Sequence, residues 1–235
     1  MAQYQAWEKE YKNPKLVSNS NEPQLDFKHF VKWLRKDQKL QLEGLHVLDL
    51  GSGTGKNSIF LAERGCKVIG IEISDTAITL ANQRAKKEAG VDIKFIKSSI
   101  GESWPIEDTS VDCAIDVVSS NSLDEEERNI YSKELKRVIK PGGYVFVKAL
   151  CKDGDKNALN LLHKFPGKEK DTYILPEVGI TERVFNRADI ETFYKDFSIL
   201  RVERKTSYTM LSGKPFKRNF WLLYLGALPI DIKNA

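Results

Sequence analysis

The feature that most constrains this chain is a glycine-rich turn set between two apolar runs, inside the stretch His46 to Ser74, HVLDLGSGTGKNSIFLAERGCKVIGIEIS. Val47, Leu48 and Leu50, interrupted by Asp49, read as a buried strand, and Gly51-Ser52-Gly53-Thr54-Gly55 reads as a tight turn. A helical pattern follows as far as Gly65, and a second apolar strand, Val68 to Ile73, carries Glu72 near its end. Strand, turn, helix and strand make a βαβ unit, which binds nucleotides at the C-terminal ends of its strands.

The spacing narrows the ligand. A dinucleotide fingerprint needs a third glycine at position 56, where this chain has Lys56. A P-loop needs Ser or Thr after the lysine to hold Mg²⁺, and Asn57 stands there. What remains is a turn whose glycines let backbone approach a ligand closely, with Asp49 before it and Glu72 17 positions after Gly55.

Asp49-Leu50-Gly51-Ser52-Gly53-Thr54-Gly55 followed by Glu72 resembles the first two motifs of the class I S-adenosylmethionine-dependent methyltransferases. The resemblance implies an α/β fold: a single doubly wound, seven-stranded, mostly parallel sheet with one antiparallel edge strand and helices on both faces. It implies S-adenosyl-L-methionine as cofactor and S-adenosyl-L-homocysteine as product. Gly51, Ser52, Gly53 and Gly55 would wrap the methionine moiety and ribose, Asp49 would support the turn or the amino group, and Glu72 would bind both ribose hydroxyls. Asn57, Ile73, Ser99, Ile100 and Asp116 complete the implied cofactor set. The segment Ser98 to Pro105 aligns with the family's adenine loop, with serine where relatives commonly place an aspartate, so Ile100 and Trp104 are expected to sandwich the ring. ELKRVIKPGGYVFV resembles the family's entry to its fifth strand.

The rest of the chain is read around this unit. At 235 residues, 41% of them hydrophobic, it suits one domain spanning 1–235. Residues 1–40 are expected to form a helical lid or cap, from the WEKEY segment, a polar loop (Ser18 to Pro23) and a helix capped by Asp26 whose Phe27, Phe30, Val31 and Leu34 share a face. Lys32, Arg35, Lys36 and Lys39 are its solvated side. Ser74 and Asp75 start the next helix, and Asp124 with Glu127 makes a capping box for another. Residues 151–186 read as an insertion after the fifth strand, placed where substrate-selecting lids sit. Ser198 to Lys205 and Asn219 to Gly226 read as the last two strands, joined through Thr206 to Arg218.

By the resemblance, the tip after the fourth strand (Val111 to Val118), between Asp116 and Ser122, faces the transferred methyl group. Its SSNS sequence lacks the Asn/Asp-Pro-Pro-Tyr/Phe clamp that relatives use on planar amino groups. Asp116, Asp124, His163 and Tyr173 are the candidates for a general base. Cys66, Cys113 and Cys151 have neither metal-ligand spacing nor a nucleophile's context, which points to reduced thiols, no metal, and a cytoplasmic location. No apolar h-region or run of ~20 apolar residues is present, so no membrane association is expected.

A net charge of +4 permits an anionic partner without requiring one. The leading expectation is methyl transfer to an N or O nucleophile of a small molecule or exposed side chain, by a monomer or homodimer. RNA is the alternative acceptor, through the basic residues Arg201, Arg204, Lys205, Lys214, Lys217 and Arg218, which equally suit a protected edge strand. A non-catalytic partner subunit that binds the same cofactor is the third reading.

Overall fold

The computed structural model describes residues 3–17 and 20–228; Ser18 and Asn19 of the expected polar loop lie outside them. Five parallel strands form most of the main sheet: β1 (His46–Leu50), β2 (Lys67–Glu72), β3 (Asp92–Lys97), β4 (Val111–Val117) and β5 (Ile139–Leu150). The order β3-β2-β1-β4-β5 reverses direction of winding at β1/β4, which is where an open α/β sheet leaves a crevice. A hairpin of β8 (Phe197–Leu211) and β9 (Lys214–Ala227) completes the seven strands, with β9 antiparallel to both β5 and β8.

Apolar residues on the two faces of the strands seat helices on both sides. On one face α2 (Leu25–Lys36) and α3 (Lys56–Ala62) cover Val47, Ile115 and Phe146 through Phe27, Phe30, Val31, Leu34 and Leu61. On the other, α5 (Glu125–Val138) and α7 (Arg187–Phe193) bury Tyr131, Leu135, Val138 and Ile190 against Leu48, Leu50, Val145 and Leu223. Each such side chain contributes roughly 1.5–3 kcal/mol. α4 (Asp75–Ala85) is capped by Ser74, whose hydroxyl accepts from Ala77 N–H at 3.1 Å, and α5 by the reciprocal Asp124–Glu127 box.

Three local expectations are corrected. Asp26 does not cap α2, whose N-cap is Gln24; it lies in the first turn, buried, between the ammonium groups of Lys148 and Lys205. The stretch Thr206 to Arg218 is strand rather than connection, because Ser212 and Gly213 (φ 48° and 76°) turn the chain in two residues and the ladder runs to Leu211↔Lys214. The hairpin therefore extends past the last β5 residue it pairs with, Leu150 opposite Phe220. Trp104 is core: it is 3% exposed, packs edge-on to Tyr131 at 5.8 Å, and donates its indole N–H to Ile100 O at 3.1 Å.

The segments outside the sheet converge on its C-terminal end. α1 (Tyr4–Lys12) is tied to the start of α4, where Glu8 accepts from Ser74 Oγ at 2.6 Å and from Thr76 Oγ1 at 2.7 Å. α6 (Lys156–Lys164) and the two-stranded pair β6 (Thr172–Ile174) and β7 (Thr181–Arg183) form the insertion, which shares a third apolar cluster with Leu150 and Phe220. The hairpin tip is anchored to both, since Ser212 N–H donates to Lys15 O at 3.0 Å and Ser212 Oγ to Glu177 at 2.6 Å.

Candidate functional site

Gly51 and Gly53 determine the shape of the turn. They adopt φ of +70° and +55°, a region open to glycine at little cost. A Cβ on Gly51 would lie 2.3 Å from Ser119 Oγ, and one on Gly53 would lie 2.7 Å from Tyr11 Oη. Gly55 also has positive φ, but it packs away from the cavity, where a Cβ would meet Phe95 and Ala81.

Glu72 closes the rim of this turn. Its Oε2 accepts from Gly53 N–H at 2.8 Å, and its Oε1 accepts from Ile73 and Ser74 N–H, both at 2.8 Å. Burial raises its pKa, and these hydrogen bonds oppose the rise. Oε2 thus keeps an acceptor position beyond the single N–H it holds. Asp49 is 1% exposed, and burial raises its pKa to about 7 against the hydrogen bond from Ser58 Oγ, with Asp116 and Glu72 adding to the rise. Its hydrogen-bond partner, Ser58, lies in α3, the helix that follows the turn.

The cradle opens into a cavity of about 1020 Å³, at the upper end of the ~300–1,000 Å³ usual for ligand sites. Gly51, Ser52, Gly53, Asn57, Glu72 and Ile73 line it, as do Ser99 and Ile100 from the β3 loop. Ser52 Oγ and Asn57 Oδ1 are buried there without a hydrogen-bond partner. These orphaned polar atoms, and the open position on Glu72, fit a polar ligand with hydroxyl and amino groups.

Asp49, Gly55 and Asp116 from the expected cofactor set do not line the cavity. Asp116 instead organises the β4 tip: it accepts Ser119 N–H at 2.9 Å, Ser120 N–H at 3.3 Å and Tyr131 O–H at 2.9 Å, and burial raises its pKa. Val118 in that tip is held at φ +63°, where a β-branched residue is strained, and it faces the cavity. The other candidate bases are not brought to the cavity either. Asp124 caps α5, and His163 is exposed on α6. Tyr173 is fully buried, donating to Glu182 at 2.6 Å and accepting from Arg218 at 2.7 Å, and burial pushes its pKa well up.

Trp7 and Tyr11 of α1, in the expected N-terminal lid, help complete the wall, together with residues that sequence reasoning did not bring there: Lys148 from β5, and Phe216 and Arg218 from the hairpin extension. One signal was visible: Lys148 is the single charge in the apolar strand VFVKAL. Arg218, counted among the basic surface residues, is 3% exposed and bonded to Asp155 at 3.3 Å, because the hairpin folds it inward. The three cysteines are buried and free, with burial pushing the thiols of Cys66 and Cys151 up to about 11 and 12. Among the described residues, no helix is long and apolar enough to cross a membrane, and no cluster of metal ligands is present.

The fold and this cradle define a Rossmann-like nucleotide-binding protein with its site at the topological switch point. Residues 47–143 match the family model described as a methyltransferase domain. The chain is 27% identical to a solved S-adenosylmethionine-dependent methyltransferase from Methanosarcina mazei, with a TM-score of 0.71 over 82% of this chain and 96% of that one. It is 26% identical to a ubiquinone biosynthesis O-methyltransferase of Leptothrix cholodnii over 77% of this chain and 74% of that protein. It is 30% identical to a sterol 4-C-methyltransferase of Caenorhabditis elegans over 54% of this chain, a match that spans only 37% of the sterol enzyme. Both the matched family model and these solved and curated relatives are methyltransferases, so the central part of this chain and its fold are similar to those of S-adenosylmethionine-dependent methyltransferases.

Proposed function

We propose that the chain transfers a methyl group from S-adenosylmethionine to a nitrogen or oxygen nucleophile of a small molecule. The observation that carries this reading is the glycine cradle with Glu72 on its rim, opening into a cavity roofed by residues 3–17, the 151–186 insertion and the hairpin. We assign a lid role to the first two of these. The relatives named for sterol and ubiquinone chemistry support a small acceptor over a side chain or RNA. Three buried thiols suit a reducing compartment, and we place the chain in the cytoplasm.

Bound S-adenosylmethionine supplies a methyl group on a positively charged sulfur. The chain's own residues hold and align. Gly51 and Gly53 would let backbone meet the cofactor, Glu72 Oε2 would accept from a ribose hydroxyl, and Ile100 would offer an apolar surface to the base. Asp116 fixes Ser119 and Ser120, so it acts as a positioning residue for the β4 tip. Alignment of this kind can supply roughly 7–11 kcal/mol of a displacement barrier.

The test is label transfer from methyl-labelled S-adenosylmethionine into size-fractionated cell extract. Label entering the small-molecule fraction is the expected result. Label confined to RNA or protein, or no transfer by protein that binds the donor, would overturn the proposal.

A further inference from the structure

We propose that Lys148 and Lys205, joined by Asp26, form a subsite that binds a carboxylate of the methyl acceptor; this rests on the methyltransferase reading of the cavity and describes its other half. Lys148 is 6% exposed on β5, paired in register with Val117 at the end of β4, and it lines the cavity. Its ammonium donates to Asp26 Oδ2 at 2.9 Å and Gln24 Oε1 at 2.6 Å, and lies 4.5 Å from the centre of the Phe220 ring. Lys205, from the hairpin, bonds the other oxygen of Asp26. Asp26 is therefore shared by two cations, which leaves a surplus of one positive charge on this wall. The remaining acid on the same rim, Glu22, is exposed and bonded to Lys28 at 2.7 Å.

Burial costs a surplus cation several kcal/mol unless an anion offsets it. Burial lowers the pKa of Lys148, in keeping with that cost, although Asp26 opposes it. Arg218, across the cavity, marks the contrast: Asp155 at 3.3 Å and Glu182 at 4.0 Å already balance it. An anion is thus called for beside Lys148, whereas the charge of Arg218 is already met and only its Nη2 lacks a hydrogen-bond partner. Phe220, Phe216, Leu211 and Leu175 line the space around the subsite. The ligand that fits is an apolar or aromatic body carrying a carboxylate, which accepts two charge-assisted hydrogen bonds from the paired lysines.

Benzoate and its uncharged analogue benzamide are the probes, titrated by calorimetry into the full chain saturated with S-adenosylhomocysteine at low ionic strength. Saturable benzoate binding is expected, with benzamide bound at least about tenfold more weakly, a difference near 1.4 kcal/mol. Lys148→Met and Lys205→Met should each weaken benzoate about tenfold or more, while Lys148→Arg retains most of the affinity. Should Lys148→Met fail to fold for want of a partner to Asp26, Lys205→Met carries the test, since that side chain is 38% exposed. Equal binding of the two probes, no saturable benzoate binding, or variants that keep wild-type affinity would overturn the subsite. Donor binding is titrated separately in the wild type: benzoate binding without S-adenosylmethionine binding fails the donor reading and leaves the subsite standing.

Discussion

The two halves of the cavity are built by different means. The donor half is local: β1, the glycine turn, α3 and β2 are contiguous, and its contacts are made largely by backbone, with Gly53, Ile73 and Ser74 N–H groups holding one carboxylate. The half proposed for the acceptor is assembled from distant segments, with Asp26 meeting Lys148 and Lys205 across 122 and 179 positions of sequence. A backbone cradle tolerates little change in shape, whereas a wall of side chains can be replaced one residue at a time. That difference suits a cofactor held constant beside an acceptor that varies.

The largest effect that sharpens this comparison is expected at Gly51. Gly51→Val places a branched side chain against Ser119 Oγ at a φ of +70°, and calorimetry should show donor affinity falling about 100-fold or more. Retained affinity would break the claim that backbone shape rules the donor half. Glu72→Gln comes next. An amide replaces one acceptor oxygen by a donor facing N–H groups, so donor affinity should fall about 10-fold to 100-fold, with about 1–3 kcal/mol lost from stability.

Asp49→Asn isolates support from binding. Asp49 is held protonated to about pH 7 in the folded chain but ionises near 3.8 when exposed. Between those values unfolding releases a proton, so wild-type stability at this site falls as pH rises from 3.8 and levels off above about 7. The asparagine variant, whose side-chain oxygen still accepts from Ser58, should melt with a flatter pH profile across that window and at a higher temperature at pH 8. An unchanged slope would contradict the assignment. The smallest effect on the donor is expected at Tyr173→Phe, which removes bonds to Glu182 and Arg218 in the opposite half. Chemical denaturation should show about 1–3 kcal/mol less stability, with donor affinity unmoved. Complete loss of transfer by a folded Tyr173→Phe protein would restore it as a base.

How legible each half was follows from the same distinction. Strand, turn and acid lie within 29 residues of sequence, and their periodicity and spacing specify the βαβ unit directly. The capping box at Asp124 and the start of α4 at Ser74 were equally readable, because caps are short-range chemistry. The hairpin is as expected, but its strands run longer than their sequence suggests, because Thr206 to Arg218 is rich in polar residues and only its Ser212-Gly213 turn signals two long strands. Trp104 looked like a ring-stacking residue until packing placed it on Tyr131. Asp26 at a helix start reads as a cap in any sequence; that two lysines from other strands claim it is a fact of tertiary assembly alone.

If the turn at Gly51 and Gly53 and the Glu72 carboxylate hold the cofactor, a crystal structure with S-adenosylhomocysteine will show the ribose hydroxyls on Glu72, the amino-acid end against Gly51 and Gly53, and the sulfur facing the space between Ser119 and Lys148. Cofactor bound elsewhere, or Glu72 still bonded only to Gly53, Ile73 and Ser74 with the ribose out of reach, would contradict it.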